Sequence, residues 1–183
     1  MIIGITGTDG AGKGAVVNHL VRRHAFKHYS SRAQIEHEIE QLRLTPDRKT
    51  LRDVANNMRA THGRDVLIVR ALEQIKRDEA DNAIIESIRA LAEVSALKQA
   101  GGILLAIDAN PKERYRRISG RKSTTDMVTY EEFLAHEQIE MNDPDPNGMQ
   151  KAAVMAQADY TIQNEHSLRQ LFADIDDFLR QYD

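Results

Sequence analysis

Residues 2–17 read Ile2-Ile3-Gly4-Ile5-Thr6-Gly7-Thr8-Asp9-Gly10-Ala11-Gly12-Lys13-Gly14-Ala15-Val16-Val17. Ile2–Thr6 has the apolar run of a buried strand, and Gly7–Gly14 fits the pattern G-x-x-x-x-G-K. Lys13–His24 then places Val16, Val17, Leu20 and Val21 at the spacing of one helical face. A strand, a glycine-rich turn and a helix in immediate succession make a phosphate-binding loop, or P-loop. The glycines let the main chain wrap closely and aim N–H groups at phosphate oxygens. The helix N-terminus adds a positive charge of about half a unit. Lys13 can bridge β- and γ-phosphates. The stretch therefore predicts nucleoside triphosphate binding by Thr8, Asp9, Gly10, Ala11, Gly12, Lys13, Gly14 and Ala15. A ligand-free tight turn would explain neither Lys13 nor the extra Gly10.

Gly14 stands where such loops usually carry Ser or Thr, whose hydroxyl touches Mg²⁺. Neither Gly14 nor Ala15 has a hydroxyl, so a carboxylate elsewhere, substrate phosphates and water must hold the ion. Asp9, at the loop crest, reads as an acceptor that braces the loop.

Beyond the loop, short apolar runs alternate with helical patterns, which predicts a parallel sheet with crossover helices. Phe26–Ser30, Asn82–Ser87, Ile103–Ile107 and Tyr160–Gln163 read as further strands. Residues 32–77 hold three helical segments and no strand, and are expected to form a candidate substrate-binding insert in a single domain spanning 1–183. The helices expected later are Leu91–Ala100, Pro111–Arg121, one capped by Thr129 and Glu132 up to Met141, Met149–Ala156, and a last one capped by Ser167 and Gln170. The last helix has Leu168, Leu171, Phe172, Ile175, Phe178 and Leu179 on its apolar face.

The 183 residues suit one α/β domain. A formal net charge of −3 gives no global pull toward nucleic acid, which is not an expected partner. Cysteine is absent, which removes disulfides and thiolate metal sites. No apolar run reaches the ~18 residues of a membrane span, and Met1–Thr6 lacks the basic region of a signal peptide. A cytoplasmic protein acting on small-molecule nucleotides is expected. His24 and His28 lack an evident third ligand, so no zinc site is expected there. Asp143–Asp145, interrupted by proline, reads as a solvated loop.

Four segments resemble the P-loop nucleoside monophosphate kinase superfamily. Gly10-Ala11-Gly12-Lys13-Gly14 resembles the adenylate kinase loop, where Gly likewise follows Lys; Thr comes next there, and Ala15 here. Glu86-Ser87-Ile88-Arg89 stands where close relatives of adenylate kinase carry D-G-I-R. Arg114, Arg117 and Arg121, with Arg116 and Lys122 beside them, follow the fourth strand, where the family's lid begins; spacings of three and four place the first three on one helical face. Ala158-Asp159-Tyr160-Thr161-Ile162-Gln163-Asn164 resembles a terminal segment of dephospho-coenzyme A kinases and adenylate-kinase-like proteins. The guanine-reading N-K-x-D of GTPases is absent. The chain is most similar to the adenylate-kinase-like kinases, loosely over residues 1–180.

That resemblance implies a three-layer fold with five parallel strands in the order 2-3-1-4-5, a helical insert and a lid at 114–128. It implies ATP and Mg²⁺, with transfer of the γ-phosphoryl to a nucleoside or deoxynucleoside monophosphate. Lys13, Arg117, Arg121 and Glu86 would be catalytic, Glu86 orienting magnesium through water. Asn164 would border the donor adenine. Arg89, Arg59 and Arg32 would hold the acceptor; Arg48 and Arg52 add charge to the insert, and Asp126 would partner a lid arginine. Ser30 and Ser31 would contact the acceptor or start the next helix. Dephospho-coenzyme A kinase, a non-catalytic ATP-binding regulator and an RNA-directed ATPase stay open as alternatives.

Overall fold

β1 (Ile2–Gly7) is the central strand of a five-stranded parallel sheet in a computed structural model of the chain, which describes residues 1–120, 128–145 and 147–182. The others are β2 (Lys27–Ser30), β3 (Ala83–Glu86), β4 (Ile103–Asp108) and β5 (Tyr160–Gln163). The order is β2-β3-β1-β4-β5, the 2-3-1-4-5 arrangement of the P-loop kinase fold. Pairing of Ser30 with Glu86, Ile5 with Glu86, Gly7 with Ile107, and Asp108 with Gln163 brings the carboxyl ends of all five strands to one edge. The connections from β1 and β3 run to opposite sides of the sheet, so this edge opens a crevice of the kind where α/β proteins bind ligands.

Helices cover both faces, which is why the three central strands, β3, β1 and β4, are almost wholly apolar, while the edge strands β2 and β5 carry polar residues. On one face α1 (Lys13–His24) and α9 (Leu168–Tyr182) pack Val16, Val17, Leu20, Leu171, Ile175 and Phe178 onto Ile3, Ile5, Leu105 and Ile107. On the other, α4 (Val66–Arg77), α5 (Leu91–Gln99) and α8 (Lys151–Met155) bring Ile68, Ala71, Val94, Leu97 and Val154 against Ile85 and Leu104. Each fully buried side chain of this size contributes about 1.5–3 kcal/mol relative to exposure. α2 (Ser31–Gln41) and α3 (Arg48–His62) stand beside α4 around their own small core of Ile39, Val54, Met58, Val66 and Leu67. α6 (Pro111–Ser119) and α7 (Tyr130–Met141) complete the described helices.

The apolar stripes are narrower than expected. Val21 is 38% exposed and Leu168 is 60% exposed, because each lies at the margin of the stripe that meets the sheet. α6 ends at Ser119 with Gly120 as its cap, before Arg121. Arg121, Lys122 and Asp126 lie outside the described residues. Asp143–Asp145 is a loop only partly solvated: Pro144 is exposed, but both aspartates are half-buried, and Asp145 accepts a hydrogen bond from Asn56 Nδ2 of α3 at 3.0 Å. Among the described residues, no helix is long and apolar enough to cross a membrane.

Candidate active site

The loop between β1 and α1 takes its shape from backbone that only glycine accepts readily. Gly7 has φ 129°, and a Cβ there would fall 1.9 Å from Ile107 O. Gly12 caps α1 at φ 106°, and a Cβ there would fall 2.5 Å from Asn164 Nδ2. Lys13 folds back over the loop, donating to Gly7 O at 3.0 Å and Thr8 O at 2.7 Å. Burial is the main reason its amine is lowered to about 8; Asp9 and Glu86 oppose this, while Lys151 and Arg89 reinforce it.

That depression has a measurable consequence. Anionic phosphates favour the protonated amine, so ATP should take up a proton as it binds once the free Lys13 has begun to lose its own. Affinity should therefore fall as pH rises above about 8. Calorimetric titrations at pH 8.5 in buffers of different ionisation enthalpy should give different apparent heats, and identical heats would contradict the assignment. In the unliganded protein the sign is opposite. The folded amine is lowered while the unfolded one titrates near 10.5, so Lys13 makes folding more favourable as pH rises between those values.

Side chains from distant elements lock the loop's main chain. Thr8 Oγ1 donates to Asp108 Oδ1 at 2.6 Å. Asn164 Nδ2 donates to Ala11 O at 2.7 Å, and Arg117 donates to Asn164 O at 2.9 Å and to Ala11 O at 3.5 Å. Arg114, 3% exposed, donates to Ala109 O at 2.8 Å and Asp9 O at 3.3 Å, and pairs in bidentate fashion with Glu137 of α7. Arg114 and Arg117 thus reach the loop from one face of α6, whereas Arg116 points away to Glu113. Asn164 spends its amide on the loop itself.

The loop crest holds a network that the sequence reading passed over. Asp9 meets Lys151 Nζ at 3.0 Å, Arg48 Nη2 at 3.2 Å and Lys13 Nζ at 3.8 Å. Glu140 of α7 binds the first two from the far side, Arg48 at 2.7 Å and Lys151 in close contact. Burial pushes the Asp9 carboxyl up, but Lys151, Lys13 and Arg89 outweigh it and hold the group well below the usual carboxylate range. Glu140 is pushed up by burial and by Asp9, then brought down by Lys151, Arg89 and Arg48. Lys151 is a lone charge in the run Met149–Met155 and is 2% exposed. The sequence shows only a lone cation in an otherwise uncharged stretch; its burial, which a lysine almost never accepts without a partner, appears only in the fold.

At the end of β3, Glu86 Oε2 lies 3.1 Å from His28 Nε2 on β2. That hydrogen bond, working against burial and aided by Lys13 and Arg89, lowers the Glu86 carboxyl. Arg89 is close enough to influence Asp9, Lys13 and Glu140 as well; its guanidinium contacts Met149 Sδ at 3.3 Å and, among the described residues, has no ion pair. Arg59 is placed differently. It is paired with Glu93 at 3.2 Å, both side chains 2% exposed, and Glu93 also accepts from the N–H groups of Arg89 and Ala90. Arg32 is exposed and paired with Glu36 at 2.7 Å. Ser30 caps α2 through Ala33 N, so it starts that helix.

Ser87 sits at φ 75°, in a turn where both its N–H and that of Ile88 reach Ile5 O at 3.0 Å. A side chain in left-handed backbone costs about 1–2 kcal/mol, and glycine gives back about 0.4–1 kcal/mol through the unfolded chain. Ser87→Gly should therefore stabilise the protein by about 0.5–1 kcal/mol, read as a rise of about 1–4 °C in the melting temperature. A fall would show that the hydroxyl makes an interaction worth more than the strain.

A hydrated magnesium ion suits this donor set. Glu86 is ionised beside the loop, and a Cβ on Gly14 would meet nothing within 4 Å, which leaves room at the first turn of α1. Farther along α3 an open cavity of about 300 Å³ is lined by Asp53, Asn56, Asn57, Ala60, Asp145 and Asn147. His24 joins His19 and Asp176 on the opposite side of α1 rather than His28.

Residues 3–143 match the AAA domain family. UPF0200 proteins are similar along nearly the whole chain. That of Methanococcus maripaludis strain C7 is 29% identical over 98% of this chain and 96% of its own. That of Pyrobaculum aerophilum is 30% identical over 90% and 87%. Among solved structures, TT1252 from Thermus thermophilus superposes with a TM-score of 0.66 at 22% identity, covering 99% and 97% of the two chains. Shikimate kinase from Bacteroides thetaiotaomicron does so with 0.63 at 14% identity, covering 98% of each.

Proposed function

The chain belongs to the AAA domain family and to the UPF0200 proteins, and from that footing we propose that it is an ATP-dependent kinase transferring the γ-phosphoryl to a nucleoside or deoxynucleoside monophosphate. The observation that carries this reading is the gathering of Lys13, Arg48, Arg89 and Lys151 around one P-loop crest. A nucleotide-binding loop needs one lysine. Three further cations suit a reaction in which negative charge is spread over a transferring phosphoryl group and its acceptor.

In this mechanism the loop N–H groups and the α1 N-terminus hold the triphosphate. Lys13 leaves the Gly7 and Thr8 carbonyls for the β- and γ-phosphate oxygens. Asp9 and Glu140 keep Lys151 and Arg48 in place until phosphate arrives, so little rearrangement is needed at the moment of transfer. Arg89 holds the acceptor phosphate. An acceptor phosphate oxygen attacks the γ-phosphorus as the bond to the β–γ bridging oxygen breaks. That acceptor is already ionised at neutral pH, so no general base is required. Arg117, bonded to the Ala11 and Asn164 carbonyls, would steady the loop from α6, and the resemblance assigns Arg121 to the lid. Magnesium bound with ATP would neutralise charge on the β- and γ-oxygens, with Glu86 holding it through water.

A second reading, transfer to a hydroxyl-bearing acceptor, is favoured by Arg59 being committed to Glu93 and by the Asn- and Asp-lined cavity on α3. Shikimate kinases share the fold. One assay separates the readings: ATP and Mg²⁺ with a panel of nucleoside monophosphates, dephospho-coenzyme A and shikimate, following ADP and phosphorylated product. A phosphorylated monophosphate is expected. A phosphorylated hydroxyl compound selects the second reading. ADP alone marks an ATPase, and tight ATP binding without ADP marks a regulator.

A further inference from the structure

We propose that His19, His24 and Asp176 form a zinc site that clasps α1 to α9. His19 Nε2 lies 2.8 Å and His24 Nε2 2.9 Å from the same oxygen, Asp176 Oδ1. One ligand atom from each residue falls within 4.8 Å of the other two. Zinc takes His nitrogen and Asp oxygen at about 2.0–2.2 Å in a tetrahedron, which sets neighbouring ligand atoms about 3.3 Å apart. The two His–Asp separations need to open by only about half an ångström to take the ion, and the imidazole nitrogens already lie within 4.8 Å of each other. Two imidazoles and one carboxylate leave a fourth position for water. Soft thiolates are absent from the whole chain, and an N₂O set of this kind favours zinc over magnesium or calcium.

The donors are held in advance. The His19 ring stacks on Phe172 at 4.3 Å between centroids and 7° between planes, and the His24 ring lies edge-on to it at 5.2 Å. His19 is the most enclosed of the three, its side chain 9% exposed, while His24 and Asp176 are 31% and 41% exposed. The site is thus open to an ion from solvent on one side and packed on the other. A ring fixed by its surroundings loses less freedom on binding metal, as outer-shell contacts do in metalloproteins. The position is separate from the nucleotide site: His19 lies about 9 Å along α1 from Lys13. The bound ion would join the helix that begins at the P-loop to the last helix of the fold.

The test uses chelator-stripped full-length protein without nucleotide, titrated with zinc chloride and followed by calorimetry and thermal melting. One zinc per chain and a raised melting temperature are expected, with visible d–d absorption when cobalt replaces zinc. His24→Gln and Asp176→Asn should each weaken binding at least about tenfold. His37→Gln, at an exposed histidine on α2, should not. The metal-free melting temperatures of the variants separate lost binding from lost folding. Failure of the wild type to bind zinc overturns the proposal. So does binding that survives both His24→Gln and Asp176→Asn, which would leave the three residues as a hydrogen-bonded clasp alone.

Discussion

Lys13→Ala should lower turnover at saturating ATP by about 10³-fold or more, equivalent to about 4 kcal/mol of transition-state stabilisation. The amine is enclosed by the loop it serves, 3.0 Å and 2.7 Å from the Gly7 and Thr8 carbonyls. Lys151 and Arg48 are bound between Asp9 and Glu140 and cannot take its place without abandoning two carboxylates. Folding should not suffer. Removing a cation whose protonated form is disfavoured by burial costs little, and Asp9 keeps two partners, so the melting temperature should hold or rise. Arginine is not a conservative replacement, because its planar fork cannot occupy the space of a single ammonium between two carbonyls. Single-turnover kinetics with equilibrium ATP binding would separate lost chemistry from lost affinity. Turnover that survives Lys13→Ala would remove the P-loop from the mechanism.

The largest effect on stability is expected at Glu93. Its carboxylate accepts from two backbone N–H groups, Arg89 at 2.7 Å and Ala90 at 3.0 Å, and from the buried Arg59 guanidinium. Truncation to alanine leaves a buried cation and two N–H donors without their acceptor. Breaking a buried pair in this way costs about 3–5 kcal/mol, out of a total stability of about 5–15 kcal/mol. Glu93→Ala should melt about 10 °C or more below the wild type. Arg59→Met should also destabilise, though less, because Glu93 retains its two backbone donors. This pair of variants also tests the acceptor role expected of Arg59. A raised acceptor KM with an unchanged melting temperature would assign it to substrate; a lowered melting temperature with an unchanged KM would assign it to the fold.

The fold was legible because its signals are local. The P-loop pattern, the Thr129–Glu132 cap and the Ser167–Gln170 cap each lie within a few residues, and the observed elements begin and end within one or two positions of the expected ones. Strand order came from resemblance to a family, since apolar strands of similar length carry no label of their neighbours. The site was only partly legible. Lys13, Glu86 and Arg89 are announced by the strands they follow. Lys151 and Glu140 are not, because their meaning depends on α7 and α8 converging on a loop more than a hundred residues earlier in the chain. Arg59 shows the same limit: sequence displays its charge and conceals Glu93, its partner across the fold. His19, His24 and Asp176 were hidden twice, by a spacing of five and by a carboxylate contributed from α9.

The hydrogen bond from Asn164 to Ala11 joins residues 153 apart in sequence. During synthesis, the first strand and its glycine loop leave the ribosome long before β5 and the Asn164 turn exist. Until that turn docks, the Ala11 carbonyl and Arg117 lack the anchor that shapes the phosphate cradle. The glycine loop therefore takes its final shape late in the life of each chain, once β5 and the turn that follows it are in place. Cellular nucleotide would act as a folding ligand for the finished molecule, selecting it by mass action over chains still missing their last strand.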